Sequence, residues 1–301
     1  MKLGPCWIKL TIFYYTAKYQ NTTRAAEALR LTQPAVSKSI KELETELGIT
    51  LFNRERGRLA LTAAGEYLLA KSEDLREAER KITFGLQQLK DTFSGTIYVG
   101  ASTTLAQYIL PALLAQFRRK YPKININLIS GNTAQIEQTL LARDIQVAFI
   151  EGTPSQPDIH YIPFIEDEIV LVTRSGNPCP ESLPKEALPR LDFALREKGS
   201  GTYNVIQRQL AQAGMSIDEL RRQIVIGSSE GIKQYLKHSD CHALISVFAI
   251  RNELAAGTLK IVDIEGLEIT RTLYAIHRQG QPDPYAEMLL RFCEANKNKI
   301  G

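Results

Sequence analysis

One stretch near the amino terminus carries side chains that can form hydrogen bonds with the edges of base pairs. It runs from Thr32 to Leu43 and contains an amide, hydroxyls and ammonium groups at helical spacing. An amide can bind adenine, and hydroxyl and ammonium groups can bind base or phosphate acceptors. The candidate DNA-contacting residues of this stretch are Thr32, Gln33, Pro34, Ser37, Lys38 and Lys41.

The elements around this stretch predict how it is presented. Residues 21–29 are typical of a first helix, a short turn follows, and Thr32 is a natural N-cap for a second helix with Pro34 in its first turn. Two helices joined by a tight turn predict a helix-turn-helix, which sets its second helix into the major groove. The apolar residues on the opposite face of that helix are Val36, Ile40 and Leu43.

A basic turn follows this pair of helices. Arg54, Arg56 and Arg58 surround Gly57, and a short alternating segment, 59–61, comes next. This pattern predicts a two-stranded wing whose arginines reach phosphates or the minor groove. An isolated basic turn is usually solvated surface, but its place beside a helix-turn-helix favours a nucleic-acid contact.

The excess positive charge of the chain is confined to its first fifth. Residues 1–62 contain 10 Lys and Arg against 5 Asp and Glu, residues 63–94 contain 5 against 6, and residues 95–301 contain 22 of each. This asymmetry indicates an amino-terminal segment that meets a polyanion and a remainder with another task.

The composition limits the class of protein. A chain of 301 residues, 44% apolar and 23% charged, predicts a globular protein of two domains. No apolar stretch is long enough to span a membrane and no cleavable signal is recognised, so we expect a cytoplasmic protein without membrane contact. Cys6, Cys179, Cys241 and Cys293 lie far apart. They predict reduced thiols, and we expect no disulfide framework, metal site or cofactor.

A continuous helical pattern over residues 63–92 connects the two parts of the chain. Leu68, Leu75, Ile82 and Leu89 recur every seven residues, with charged residues between them. A seven-residue apolar repeat predicts a helix that dimerises along this stripe and links two domains. The alternative is a helix that packs against its own domain.

The remainder of the chain predicts an α/β domain. From Gly95 onward, short apolar runs alternate with helical stretches, which is typical of α/β units and a mostly parallel sheet. Ligands of such sheets bind at the carboxyl ends of the strands, beside helix N-termini. We expect two lobes, connected near residues 162–164 and 265–269, with a cleft between them. Hydroxyl or amide residues follow predicted strands or precede helices at 102–104, 132–133, 202 and 228–229.

The amino-terminal motifs resemble those of LysR-type transcriptional regulators. The match covers residues 10–65 nearly without gaps and rests on Phe13, Arg24-Ala25-Ala26-Glu27-x-Leu29, Gln33-Pro34-Ala35-Val36-Ser37-x-x-Ile40-x-x-Leu43-Glu44, Leu47-Gly48, Leu51-Phe52-x-Arg54 and Leu61-Thr62-x-x-Gly65. The resemblance implies an α/β protein overall, with an all-α winged helix-turn-helix at 1–65 and a long linker helix at 66–94. It also implies a two-lobed effector domain, shaped like a periplasmic binding protein, at 95–301. Lobe I then comprises about 95–162 and 267–301, and lobe II about 163–266.

The same resemblance implies which residues line the cleft. They are Ser102, Thr104, Asn132, Thr133, Thr202 and Ser229. A Ser or Thr before a helix also serves as an N-cap that stabilises by about 1 kcal/mol, so each has a purely structural alternative. We expect a small anionic or amino-acid-like ligand. A carboxylate at a strand end, such as Glu151, repels a pure anion and suits the ammonium group of an amino-acid-like ligand; the alternative is that it points to solvent. Cys241 and His242 either reach the cleft or form a surface pair.

Three functions compete. A ligand-responsive transcription factor that binds double-stranded DNA as a homodimer or homotetramer accounts for every region of the chain. An α/β enzyme lacks a G-x-S-x-G elbow, metal-ligand spacing and a catalytic set among four histidines. A solute-binding or transport module does not need the helix-turn-helix. We therefore predict a transcriptional regulator without enzymatic activity.

Overall fold

The computed structural model describes residues 6–55, 58–90 and 92–299. The chain divides into two compact units, residues 1–86 and 87–301. The first unit contains three helices, a two-stranded antiparallel hairpin and most of a long helix. Their bounds are α1 Cys6–Tyr19, α2 Thr22–Leu29, α3 Gln33–Leu47, β1 Phe52–Glu55, β2 Arg58–Leu61 and α4 Ala63–Leu89.

The helix-turn-helix has the caps that the sequence predicts. Asn21 Oδ1 accepts hydrogen bonds from the backbone N–H groups of Thr23 and Arg24, and Thr32 Oγ1 accepts one from Ala35. Arg30 ends α2 with a φ of 56°, a left-handed conformation that permits the tight turn before α3. The core beneath these helices contains Phe13, Ala25, Val36, Ile40, Leu43 and Leu51.

The long helix α4 has two different halves. Its first turns cap the amino-terminal core, since Leu68 and Leu69 pack against it. Further along, Leu75, Ile82 and Leu89 of the seven-residue repeat are exposed. The first turns of α4 therefore pack on their own domain, and the repeat residues further along form an exposed apolar stripe. Dimerisation along this stripe stays a prediction.

The second unit alternates strands and helices. Its strands are β3 Gly95–Ser102, β4 Ile124–Gly131, β5 Val147–Glu151, β6 Ile159–Arg174, β7 Ser182–Pro184, β8 Asp192–Leu195, β9 Arg221–Val225, β10 Ala243–Ser246, β11 Leu259–Glu265 and β12 Ile269–Arg278. Its α-helices are α5 Leu110–Lys120, α6 Thr133–Leu141, α7 Gly201–Gln212, α8 Ser229–Lys237, α9 Val247–Ala255 and α10 Pro284–Asn296. A π-helical turn, Leu105–Ile109, precedes α5, and short 3-10 turns lie at Lys185–Arg190, Ile217–Glu219 and Lys297–Lys299.

Two long strands connect two lobes. Lobe I contains β3–β5, α5, α6 and α10, and lobe II contains β7–β11 and α7–α9. The main sheet has the order β4-β3-β5-β12-β6-β11-β7, and β10 also pairs with β6. Strands β3, β4 and β5 are parallel, but β6 and β12 form a continuous antiparallel pair from Ile169 opposite Ile269 to Ile159 opposite Arg278.

This central pair differs from the mostly parallel sheet expected from the sequence. Because each long strand runs from one lobe into the other, the connection expected at 162–164 lies inside β6, and 265–269 spans the turn from β11 to β12. A register shift at Leu273 and Tyr274 marks the crossing. Helix α10 was not predicted, although it packs on lobe I through the edge-to-face contact of Phe292 with Phe117.

Candidate functional site

Helix α3 presents a polar face outward and an apolar face inward. Gln33 is exposed, and its Nε2 donates hydrogen bonds to Ser37 Oγ at 2.9 Å and to Thr22 Oγ1 at 3.3 Å. These bonds hold the amide across the start of α3 and leave its oxygen available to a base edge. Val36 and Leu43, on the other face, are fully buried. The arrangement is that of a recognition helix.

The other predicted DNA-contacting residues of α3 differ in their exposure and in the partners of their side chains. Lys38 and Lys41 are exposed, and within the described residues the ion pair of Lys38 with Glu42 is long, at 3.9 Å. Pro34 is exposed in the first turn, while the hydroxyl of Thr32 is used as the N-cap. In the wing, Arg54 and Arg58 belong to β1 and β2, which pair as predicted. Their side chains, and all of Arg56, lie outside the described residues.

The end of β3 carries two buried hydroxyl groups. Ser102 and Thr104 are fully buried, and neither Ser102 Oγ nor Thr104 Oγ1 has a hydrogen-bond partner within the described residues. The parallel register puts Ser102 beside Gly131 at the end of β4, and Ala101 beside Phe149 near the end of β5. Buried polar groups without partners are rare in native proteins, so these two hydroxyls are candidates to bind a ligand.

Asn132 and Thr133 begin α6 at the same sheet edge. Asn132 forms a capping box with Gln135, and Thr133 Oγ1 donates to the backbone oxygen of Glu151 at 2.7 Å. Asn132 therefore has the N-cap role that the sequence left as an alternative, whereas the Thr133 hydroxyl connects the start of α6 to the end of β5.

The two lobes touch at this edge. The backbone N–H of Ala134 in α6 donates to Gly199 O, just before α7, at 3.3 Å. A Cβ on Gly201 would lie only 2.2 Å from Glu151 O, so this close approach requires glycine.

A charged cluster occupies the crossing of the lobes. Arg271 of β12 binds Asp167 of β6, with Nε and Nη2 at 2.8 and 2.7 Å from Oδ2, and its Nη2 lies 3.0 Å from Glu151 Oε2. Nη1 donates to Thr202 Oγ1 at 2.9 Å, and Ser246 donates to Asp167. Burial raises the pKa of Asp167, against the pull of Arg271. Glu151 is therefore an ion-pair partner of Arg271, and Thr202 is one of its hydrogen-bond acceptors.

Sequence reasoning missed Arg196, a second buried arginine. Its Nη1 donates to Thr103 Oγ1 at 2.9 Å and its Nη2 to Gly227 O at 3.3 Å. It thereby connects the residue between Ser102 and Thr104 with the turn that leads to Ser229. The sequence signal that could have identified Arg196 is its position as a lone arginine directly after the apolar segment 193–195 and before a glycine-rich turn.

A group of interactions between the lobes lies beside this turn. It comprises Tyr108, Glu230, Lys233 and Glu253, and we call it the clasp. Ser228 caps α8, so Ser229 is its first residue and is buried. Tyr108, from the π-helical turn of lobe I, donates to Glu230 Oε2 at 2.9 Å, and the buried Lys233 lies 4.8 Å from the Tyr108 ring. Lys233 Nζ is 2.9 Å from Glu230 and 3.1 Å from Glu253. These interactions hold the pKa of Glu230 down, to about 2, against its partial burial.

Cys241 and His242 form no surface pair, because both are buried in lobe II. The Cys241 thiol contacts Gln223 Oε1 at 2.9 Å, and burial raises its pKa, which opposes thiolate chemistry. Neither ring nitrogen of His242 has a hydrogen-bond partner in the part of the chain that the structure describes, and burial lowers its pKa.

No three His, Cys, Asp or Glu side chains of residues 6–55, 58–90 and 92–299 come together as metal ligands. In the same ranges, no helix combines the length and apolarity needed to cross a bilayer.

An outward-facing recognition helix with a wing, followed by a two-lobed α/β domain with buried polar groups between its lobes, defines a ligand-responsive DNA-binding regulator. The model of the bacterial regulatory helix-turn-helix protein, lysR family, matches residues 7–66, and that of the LysR substrate binding domain matches residues 90–297. The chain belongs to the LysR family of transcriptional regulators, and is not an enzyme.

A curated relative supports this assignment, and solved structures are similar in fold. The uncharacterized HTH-type transcriptional regulator YeiE of Escherichia coli strain K12 is 32% identical over 95% of this chain and 96% of its own length. A full-length OxyR variant from Pseudomonas aeruginosa is similar in fold, with a TM-score of 0.72, 21% identity and coverage of 97% and 93%. The Synechocystis PCC6803 CcmR regulatory domain in complex with 2-PG has a TM-score of 0.62 and 27% identity, with coverage of 68% and 98%.

Proposed function

We propose that this regulator binds operator DNA through α3 and the wing, as a homodimer or homotetramer, and alters that binding when a small metabolite enters the cleft between its lobes. Residues 1–65 bind DNA, residues 66–94 dimerise, and residues 95–301 bind the effector. The exposed apolar stripe of α4 supports the dimer, because burial of Leu75, Ile82 and Leu89 against a second copy removes them from water. Its action on operator DNA takes place in the cytoplasm.

On the DNA side, the polar face of α3 supports the proposal. Gln33 and Ser37 read base edges, while the exposed ammonium groups of Lys38 and Lys41 contact phosphates together with the wing arginines. Thr32 and Pro34 set the position of the first turn of α3, which carries these contacts.

On the effector side, one observation carries the proposal: the buried, unpartnered hydroxyls of Ser102 and Thr104 at the end of β3. A small anionic metabolite offers acceptors to both hydroxyls and satisfies them. We also assign Ser229, a buried residue at the start of α8 in lobe II, to this site. Asn132, Thr133 and Thr202 support the site through the caps and bonds described above. 2-PG, named with the CcmR regulatory domain, is the first compound to test.

An amino-acid-like effector is the second candidate. Glu151 Oε2 has no hydrogen bond among the described residues, although it lies 3.0 Å from Arg271 Nη2. An ammonium group directed at this oxygen is therefore compatible with the site. The anionic candidate is preferred because Glu151 already has Arg271 as an ion-pair partner.

The test compares the full-length wild type with the Ser102→Ala/Thr104→Val variant by thermal shift and calorimetric titration with 2-PG, sulfate and glycine. We expect the variant to lose about 100-fold or more in affinity for whichever compound binds, because two hydrogen bonds to a charged ligand are removed. Thr139→Val is the control, since the Thr139 hydroxyl donates to Gln135 O within its own helix. Equal affinities for wild type and the Ser102/Thr104 variant would falsify the assignment.

A further inference from the structure

Arg196 is a buried cation beside the proposed effector site. Its side chain is 2% exposed, and it binds Thr103, the residue between the two unpartnered hydroxyls. A guanidinium group binds carboxylate or phosphate best through two parallel N–H groups on one edge. The edge formed by Nε and Nη2 is therefore the place where an anionic effector gains most.

The Nε–Nη2 edge of Arg196 already binds the carboxylate of Glu197, the next residue in the chain. Glu197 accepts from Arg196 Nε at 2.9 Å through Oε2 and from Nη2 at 3.1 Å through Oε1. The Glu197 side chain is 26% exposed. It therefore reaches water, and rotation of its own side chain is enough to move the carboxylate off the guanidinium.

Arg271, the other buried arginine at the lobe boundary, differs from Arg196 in the exposure of its carboxylate partners. Its carboxylate partners, Asp167 and Glu151, are 0% and 1% exposed, so neither can leave without carrying a charge through the protein interior. Of these two buried arginines at the lobe boundary, only Arg196 has a counterion that can exchange with a ligand.

We infer that Glu197 is a built-in competitor for the effector: its carboxylate occupies the Nε–Nη2 edge of Arg196 until an oxyanion displaces it into solvent. The inference rests on the proposed function and names the chemistry of the effector, a group with two adjacent anionic oxygens. Carboxylate, phosphate and sulfate share this geometry. Competition from Glu197 lowers the affinity of the site and excludes neutral molecules, which cannot replace a charge on a buried guanidinium.

The experiment is a double-mutant cycle in the full-length protein, with phosphate, sulfate, acetate and 2-PG as titrants and glycerol as the neutral control. We expect Glu197→Gln to bind the preferred oxyanion about tenfold more tightly than wild type, a change of about 1.4 kcal/mol. Arg196→Lys keeps the charge but lacks the two-pronged edge. In that background, Glu197→Gln should gain less than about threefold, a nonadditivity that a general charge effect does not produce.

Glu168→Gln is the matched control, because it removes the same charge from an exposed position on β6. The order of affinities among the four titrants identifies the anionic group. The inference is overturned if Glu197→Gln binds no oxyanion more tightly than wild type, if Glu168→Gln tightens binding equally, or if the gain persists with Arg196→Lys. If Ser102→Ala/Thr104→Val still weakens binding in that case, the effector site stands and only the role of Glu197 is lost. If no variant, including that one, alters binding, the proposed site falls as well.

Discussion

The hydroxyl of Tyr108 in lobe I donates a hydrogen bond to Glu230 in lobe II, across 122 positions of the chain and 2.9 Å of space. Tyr108 lies in the π-helical turn between the unpartnered Thr104 and α5. π-Helical turns are rare in proteins, and those that occur often lie at functional sites. The bond therefore connects the proposed effector site to the relative position of the lobes.

Removal of this bond should loosen the lobes without removing the ring that covers Lys233. We expect Tyr108→Phe to lower the free energy of unfolding by about 1.5–3 kcal/mol, the range for hydrogen bonds to charged groups. Urea denaturation measures this loss, and hydrogen exchange should accelerate in Leu105–Ile109. Tyr98→Phe, at a partly exposed ring on β3, is the control. A Tyr108→Phe protein as stable and as slow to exchange as the control would show that the clasp contributes nothing.

The recognition helix makes a prediction about sequence preference. Gln33→Ala/Ser37→Ala should reduce discrimination between operator and unrelated DNA by about 1–3 kcal/mol, because base-edge contacts specify sequence. Lys38→Ala should instead weaken binding to all DNA and reduce its salt dependence by about one phosphate contact.

Fluorescence anisotropy at several salt concentrations separates these effects, and mass measurements should show an unchanged oligomer. Thr45→Ala is the control, because the Thr45 hydroxyl on the same helix donates to the backbone oxygen of Lys41. An intact operator preference in the Gln33/Ser37 variant would exclude α3 as the reading element.

The Arg271 cluster predicts a large stability effect. Arg271→Met leaves Asp167 and Glu151 as unpaired buried carboxylates, and we expect a loss of about 3–5 kcal/mol. Arg291→Met is the control, because Arg291 pairs with Glu287 at a side chain that is 79% exposed, where an ion pair stabilises by about 0–1 kcal/mol.

Urea unfolding curves give both values. Arg271→Met/Asp167→Leu should recover part of the loss, since it removes one of the two stranded charges. Similar losses for the Arg271 and Arg291 variants would mean that the buried cluster stabilises the folded protein no more than a surface ion pair does.

His242 predicts a loss of stability in acid. Burial holds its pKa below the ordinary 6.5, so the unfolded chain takes up a proton that the folded protein does not. Stability from the neutral ring is therefore complete above about pH 6.5 and decreases as the pH falls below it. His242→Leu should show a smaller decrease in melting temperature between about pH 7 and pH 5.

His277 is also buried with a lowered pKa, so its contribution remains in the His242→Leu protein. His238→Gln provides the matched control for removal of a histidine from the surrounding segment. Parallel pH profiles for wild type and His242→Leu would contradict this account of His242.

Elements with local signals could be predicted from the sequence. The caps at Asn21 and Thr32, the glycine at the end of α3 and the alternation in the wing each act within a few residues. The amino-terminal fold, the long α4 helix and the strand ends at Ser102 and Gly131 were accordingly predictable. The chemical character of α3 followed too, since its buried and exposed faces are set by helical spacing.

The meeting of charges between the lobes, in contrast, depends on the folded arrangement of distant segments. Arg271 bonds to Asp167, which lies 104 positions away in the sequence, and Arg196 bonds to Thr103, which lies 93 positions away. Such pairs leave no periodic trace, because each depends on the register of strands that are distant in sequence. The continuous β6–β12 pair has the same cause: burial and sheet pairing extend a strand beyond the segment that its own residues favour. The ion pair of Glu151 with Arg271 is likewise a consequence of the tertiary structure, because the position of Glu151 at a strand end does not reveal a partner on another strand.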